Sequence, residues 1–165
     1  MTDSQLDTIA EIAQKVSAEN DRRQRQLDTI KELLQERQQV LVSMCELAEL
    51  EGQKPDPAAI IDCLVSFTQT LVDYTALGHF EIYERIIDGK ERRMSVKSIA
   101  NRVYPSISLT TEKFIEFNDK YDGADDADSI TGLYQDLSDI GEAFAERIES
   151  EDQLLREMSD RLFNQ

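Results

Sequence analysis

Residues 71–85 read Leu-Val-Asp-Tyr-Thr-Ala-Leu-Gly-His-Phe-Glu-Ile-Tyr-Glu-Arg, a helical pattern that contains the only histidine of the chain. A glycine inside a helix costs roughly 1 kcal/mol relative to alanine, so we expect Gly78 to serve close packing or access to His79. Two interpretations of the stretch are open: a buried polar network that fixes the helix register, and a working site. Three- and four-residue spacings must place several of its polar and aromatic side chains on one face: Asp73, Tyr74, Leu77, His79, Phe80, Tyr83 and Glu84.

Apolar residues recur with helical spacing on both sides of this stretch, and no segment alternates in the way that β-strands do. Glycine and proline at Gly52 and Pro55, and glycine at Gly89 and Gly123, separate four such segments. The segments run over about 21–50, 57–88, 95–121 and 129–163. The sequence therefore predicts an all-α protein, an antiparallel up-down four-helix bundle with an N-terminal helical arm.

The arm is predicted because residues 17–26 are almost wholly polar and offer a core nothing to bury. We accordingly expect an N-terminal arm at 1–20 and a bundle domain at 21–165. Arg37 falls on the apolar seam of the first core helix, and Glu151 interrupts the seam of the last. A guanidinium in that position either reaches out to solvent or pairs with an anion inside the bundle.

The charge balance limits the kinds of partner. The chain has 34 acidic and 18 basic residues and a net charge of −16, which argues against binding nucleic acid through phosphates. The same balance favours a basic protein partner, because complementary fields steer association. No apolar run approaches the roughly 20 residues of a membrane span, and the N-terminus lacks signal-peptide features. The sequence thus predicts a cytoplasmic protein with no membrane partner.

Familiar catalytic and metal-binding patterns are missing from the sequence. A di-iron bundle needs two Glu-x-x-His motifs, and this chain has one histidine and no such motif. The two cysteines form no Cys-x-x-Cys pair, and no Gly-x-Ser-x-Gly turn or phosphate-binding glycine loop is present. The aspartate-rich loop at 122–128 lacks the ligand order of a calcium loop. We therefore predict no enzyme activity, no cofactor and no metal.

Several short stretches of this chain resemble the Rsd/AlgQ family of bacterial regulators of the primary sigma factor. Leu-Val-Asp-Tyr (71–74), Gly-His-Phe (78–80) and Tyr-Glu-Arg (83–85) are similar to its signature, as is Leu-Ser-Asp-Ile-Gly-Glu (137–142) in the fourth helix. The resemblance covers roughly residues 27 to 158. It implies a four-helix bundle that binds the C-terminal, −35-reading domain of the primary sigma factor. It also implies an anti-sigma function, in which the bound sigma factor is withheld from RNA polymerase core and promoter.

The resemblance also implies which residues bind the partner or support the binding surface. We hypothesise that Arg37, one of these residues, pairs with a carboxylate among the others and orders the face around His79. One departure from the family is Lys31-Glu32-Leu33, where members carry Asp-Arg-Trp. Another is the N-terminal arm. Two roles are open for this arm: it covers the binding face, or it mediates self-association. The implied partner-binding or supporting residues are Arg37, Asp73, Tyr74, His79, Phe80, Tyr83, Glu84, Glu142 and Glu151.

Two alternative functions are open at this level. In the first, the bundle docks another regulatory protein, such as a phosphotransferase-system carrier or a stress-signalling enzyme. In the second, it is a phosphotransfer or ligand-sensing bundle that uses His79. Phosphotransfer is disfavoured because Ile82 and Tyr83 follow the histidine where that family has lysine and glycine, and because Glu81 and Glu84 would repel a phosphate.

Overall fold

The computed structural model describes the backbone of residues 3–163 and the side chains of residues 8–160. Within that part of the chain there are helices and connectors and no strand, so the predicted all-α bundle is confirmed. The second helix continues through a π-helical segment and a final α turn. The four long helices are α1 (Asp3–Glu49), α2 (Pro57–Gly78, extended by His79–Tyr83 and Glu84–Ile87), α3 (Met94–Tyr121) and α4 (Leu133–Phe163).

Each helix packs against its neighbours in chain order, and α1 also packs against α4, which closes the bundle. The pairs run antiparallel. Arg37 of α1 bonds Glu151 of α4. Met44 comes later in α1, and its sulfur lies 3.9 Å from where a Cβ on Gly141 would be. Gly141 comes earlier in α4 than Glu151, so the two helices run in opposite directions. Short connectors require this up-down order, because they cannot carry the chain back along the length of a helix.

The connectors end the helices as the sequence predicts, with one difference. Pro57 opens α2, after Asp56 in an extended conformation. We expected the last helix to begin near Ser129, but α4 begins at Leu133. The Ser129 hydroxyl instead accepts hydrogen bonds from the backbone N–H groups of Asp125 and Asp126, which stabilises the 3₁₀ turn Asp128–Ile130. Gly132, with φ of +79°, then turns the chain into α4.

The buried stripe of α1 differs in part from the predicted one. Helical spacing of the apolar residues predicts Leu34 on the seam, but Leu34 is 43% exposed, and the fully buried Leu33 takes its place. Leu33, Arg37 and Val40 are spaced by four and three residues, so they lie on one face towards the core. Arg37 is indeed on the seam.

The N-terminal part of α1 continues the helix without a break, and the side chains of residues 8–18 are exposed. Ile9, Ile12 and Val16 are each about half exposed. Residues 1 and 2 of the predicted arm lie outside the described residues, and the division into arm and domain stays a prediction. None of the helices in the described part of the chain combines the length and apolarity needed to cross a membrane.

Candidate functional site

A carboxylate with no solvent exposure, Glu151 of α4, lies at the centre of the bundle. Its Oε1 atom accepts hydrogen bonds from Arg37 Nη2 at 2.9 Å and from the Tyr74 hydroxyl at 2.5 Å. Its Oε2 atom accepts one from the Tyr83 hydroxyl at 2.7 Å and one from Arg147 Nε at 3.1 Å. Four donors on three helices thus compensate a buried charge, which otherwise carries a large desolvation penalty.

Arg147, one turn before Glu151 on α4, is 1% exposed. Its Nη1 atom donates to the Ile107 carbonyl at 3.0 Å and to the Thr111 hydroxyl at 2.7 Å, both on α3. Its guanidinium carbon also lies 5.3 Å from the centre of the Tyr83 ring, within range of a cation–π interaction. Arg147 therefore connects α3 to the tyrosines of α2.

The positive and negative charges around Glu151 are equal in number. Besides bonding Glu151, Arg37 donates from Nη1 to Asp152 Oδ1 at 2.7 Å. Two guanidinium groups accordingly face two carboxylates, and the ion pair predicted for Arg37 is present. We call these six residues the Glu151 network: Arg37, Tyr74, Tyr83, Arg147, Glu151 and Asp152.

Burial acts in opposite directions on the pKa values of the arginines and of the tyrosines of the network. Burial alone would lower the pKa of Arg37, but the hydrogen bonds to Glu151 and Asp152 outweigh it, so the pKa lies above its ordinary value. Burial, together with the charge of Glu151, raises the pKa of both Tyr74 and Tyr83 well above the usual range of tyrosine. Both hydroxyls therefore remain protonated donors.

Gly78 lets the network approach α2 closely. A Cβ at this position would lie 3.2 Å from Tyr83 Cε2 and 3.7 Å from Arg147 Nη2. The first distance is tighter than ordinary van der Waals contact. The close packing expected at Gly78 is thus present, and the glycine leaves room for a tyrosine and an arginine.

The π-helical segment His79–Tyr83 divides the sequence motif between two environments. It adds a residue to the helical turn, and the Glu84 N–H bonds the His79 carbonyl across five residues. As a result His79 and Phe80 point outwards, whereas Tyr83 points into the Glu151 network. π-Helical turns are frequent at functional sites.

The outward residues adjoin a groove between α2 and α3 with a volume of about 350 Å³. Phe80 lies at the edge of this groove and is 59% exposed. The Phe80 ring contacts the His79 ring at a centroid distance of 4.9 Å. Asp73, about two turns before Phe80 on α2, is exposed and accepts a hydrogen bond from Gln69 at 3.0 Å. We call the following residues the α2–α3 surface: Val72, Asp73, Ala76, His79, Phe80, Thr111, Ile115 and Asn118.

The nine residues implied by the family resemblance therefore do not form one cluster. Arg37, Tyr74, Tyr83 and Glu151 belong to the buried network, and Asp73, His79 and Phe80 belong to the α2–α3 surface. Glu84 is half-buried at the end of α2. Glu142 is exposed in a different cavity, between α3 and α4.

Two members of the network, Arg147 and Asp152, were not among the predicted site residues. Arg147 and Glu151 are four residues apart on α4, a spacing at which helical side chains of opposite charge pair. That spacing was a usable signal, because both charges occur in a helix with an apolar stripe. Among the described side chains, no group of three or more histidine, cysteine, aspartate or glutamate residues is placed to hold a metal ion.

Comparison with known proteins places this arrangement in a family. Residues 12–159 match the family model described as regulator of RNA polymerase sigma(70) subunit, Rsd/AlgQ. The chain belongs to the Rsd/AlgQ family. The match contains all nine residues named above, so both the network and the α2–α3 surface lie within the Rsd/AlgQ region.

Curated relatives agree with the Rsd/AlgQ assignment over nearly the whole chain. A regulator of sigma D from Yersinia enterocolitica is 35% identical over 154 residues, which cover 92% of this chain and 88% of the relative. One from Yersinia pseudotuberculosis is 34% identical, with 92% and 87% covered. Another, from an Enterobacter species, is 35% identical over 121 residues, 72% of this chain and 73% of the relative.

The tyrosines of the network predict a loss of stability in alkali. Because the folded-state pKa of Tyr74 and Tyr83 is raised, the stability they contribute is fully present below about pH 10, the unfolded-state pKa, and is lost as the pH rises above it. Each tyrosine should remove about 1.4 kcal/mol of unfolding free energy per pH unit. Urea unfolding between about pH 9 and pH 11 should show this, with a shallower decline in Tyr74→Phe/Tyr83→Phe. An unchanged slope in the double variant would contradict the assignment.

Proposed function

We propose that this chain is an anti-sigma factor that binds the C-terminal domain of the primary sigma factor. The bound domain is thereby withheld from RNA polymerase core and from the −35 promoter element. The observation that carries the proposal is the Rsd/AlgQ match over residues 12–159. The relatives named regulator of sigma D support the same partner.

The charge of the chain fits such a partner. A domain that reads promoter DNA through a helix-turn-helix has a basic surface, because it must contact phosphates. This chain carries a net charge of −16. Opposite fields steer the encounter of two proteins and raise the association rate.

We assign the contact to the α2–α3 surface. Its groove is lined mostly by apolar atoms, and an exposed phenylalanine stands at its edge. Binding energy at interfaces is concentrated in a few aromatic or arginine side chains that fill pockets, with charged residues at the rim. Phe80 has the exposure of such an anchor, and Asp73 that of a rim charge.

The Glu151 network supports this surface from inside and does not itself reach the partner. The Tyr83 hydroxyl bonds Glu151 and thereby fixes the inner end of the π-helical segment. His79 and Phe80 are at the outer end of that segment. The network thus determines the direction in which the two aromatic rings point.

The proposed mechanism is steric and electrostatic competition without a chemical step. No residue of the proposed surface has to transfer a proton, an electron or a phosphate for the sigma domain to be blocked. Because sigma factors act on cytoplasmic RNA polymerase, the proposal also places this chain in the cytoplasm.

The proposal is tested by titration calorimetry of the full chain with the isolated C-terminal sigma domain. We expect one-to-one binding at about 0.1 M salt that weakens strongly at about 1 M salt, where the Debye length falls from about 10 Å to about 3 Å. Absence of binding at the lower salt concentration would refute the anti-sigma assignment. Binding to a phosphotransferase-system carrier in place of the sigma domain would favour the alternative partner class.

Asp73→Asn should weaken sigma binding mainly through a slower association rate. We expect a loss of about 3- to 10-fold at low salt and a smaller loss at high salt, because a rim charge acts by steering. Stopped-flow or surface-based kinetics measure the rate. The matched control is Asp139→Asn on α4, since Gln135 donates to Asp139 as Gln69 donates to Asp73, one turn earlier in each case. Equal effects of the two substitutions would mean that only net charge matters.

A further inference from the structure

Six cationic side chains line a cavity of about 70 Å³ at the end of the bundle where the α2–α3 connector meets α1. Six of the chain's 18 lysine and arginine residues therefore lie at one place on a protein of net charge −16. The neutral Gln26 and the carboxylate of Glu91 complete the lining. We call this the basic pocket, and its cations are Arg22, Arg23, Arg85, Lys90, Arg92 and Arg93.

The bundle fold itself brings these charges together. Arg22 and Arg23 belong to α1, and Arg85 belongs to the last turn of α2. Residues 90–93 lie in the α2–α3 connector, in which the chain turns at Gly89, whose φ is +76°. Like charges repel, so gathering them from distant parts of the sequence is unfavourable unless an anion neutralises them.

Glu91 neutralises only one of the cations. Its Oε1 atom accepts hydrogen bonds from the backbone N–H of Arg93 at 2.9 Å and from Arg93 Nε at 2.8 Å. These bonds outweigh burial, which alone would raise the pKa of Glu91, so that its pKa lies below the ordinary value and the carboxylate stays charged. Arg93 is also held by the Met158 carbonyl and by Gln26. Arg93 and Glu91 therefore form a rigid base for the pocket.

Three other cations of the pocket have no such anionic partner. Among the described residues, the side chains of Arg85, Lys90 and Arg92 make no hydrogen bond or ion pair. Arg22 has only a long contact, 3.9 Å, to Glu19. The pocket therefore presents unpaired positive charge beside a cavity that is larger than the roughly 10–15 Å³ needed for one water.

We propose that the basic pocket binds phosphate anions and prefers a diphosphate group to a single phosphate. Arginine forks match phosphate oxygens bidentately, and five of the six cations are arginines. One phosphate carries at most about two negative charges near neutral pH, whereas the basic pocket has three unpaired cations. A diphosphate satisfies that balance. The same group is present in inorganic pyrophosphate and at the end of a nucleoside diphosphate.

The test is titration calorimetry of the full chain with sodium pyrophosphate and, separately, with sodium phosphate at equal ionic strength. We expect saturable one-to-one binding of pyrophosphate, at least about 10-fold tighter than that of phosphate. Lys90→Ala/Arg92→Ala should weaken pyrophosphate binding by at least the same factor. Both side chains are exposed and unpaired, so the variant keeps its fold. The matched control is Lys113→Ala, an exposed cation in the cavity between α3 and α4.

Absence of saturable pyrophosphate binding would overturn the proposal, and so would equal losses in the double variant and in Lys113→Ala. A parallel titration with adenosine diphosphate distinguishes the two sources of the group. Binding as tight as that of pyrophosphate supports recognition of the diphosphate end of a nucleotide. Weaker binding supports recognition of the free ion. The basic pocket and the α2–α3 surface share no residue, so neither result depends on sigma binding.

Discussion

Replacing Glu151 with glutamine is expected to lower the free energy of unfolding by about 3–5 kcal/mol. The substitution keeps the shape of the side chain but removes the negative charge of Glu151, which has no solvent exposure. Arg147, 1% exposed, and Arg37 would then have lost the carboxylate that both of them contact. An uncompensated buried cation is costly, and its cost is a large part of the roughly 5–15 kcal/mol that stabilises a domain.

Urea unfolding followed by far-ultraviolet circular dichroism measures this loss. The control is Glu149→Gln, a substitution of the same chemistry at an exposed position two residues earlier in α4, which should change stability by no more than about 0.5 kcal/mol. A loss below about 1 kcal/mol for Glu151→Gln would show that the network does not hold the helices together.

Phe80→Ala is expected to weaken binding of the sigma C-terminal domain by about 30-fold, equivalent to about 2 kcal/mol. Phe80 is 59% exposed beside the groove, so an apolar surface now in contact with water would be covered by the partner. The free chain should keep its stability, because little apolar area is lost from its core. Titration calorimetry measures the affinity.

The control for this variant is Met94→Ala. Met94 is 74% exposed at the start of α3, about 25 Å along that helix from the groove residue Thr111. Removing an exposed apolar side chain there should leave the affinity unchanged. An equal loss in the two variants would place the contact elsewhere on the protein.

Much of the architecture was predictable because its signals are local. Glycine and proline mark the ends of α1 and α2, and the apolar period of each segment identifies its helix. Arg37 on an apolar seam had either to reach solvent or to pair with an anion, and Glu151 interrupts the seam of α4. That two such residues bond each other follows from the antiparallel order of α1 and α4.

The division of the central motif was not predictable from a regular helical period. In a uniform α-helix, Tyr74 and Tyr83 would not be expected to face inwards while His79 and Phe80 face outwards. The π-helical segment changes the phase after Gly78, and this phase lets Tyr83 make a tertiary contact with Glu151 on another helix. Periodicity within one segment carries no information about that contact.

The basic pocket was missed for a similar reason. Residues 90–93 are a charged connector in the sequence, and Arg22 and Arg23 belong to a polar stretch. Each group alone is a solvated surface. Only the packing of the α2–α3 connector against α1 makes them one site.

The proposed anti-sigma function depends on binding of the sigma domain at the α2–α3 surface. The most direct test is amide chemical-shift mapping of the labelled chain as unlabelled sigma C-terminal domain is added. We predict that the largest shifts fall at residues 72–80 of α2 and its π-helical segment and at residues 111–118 of α3. Shifts confined to α1 and α4, or none at all, would contradict the account.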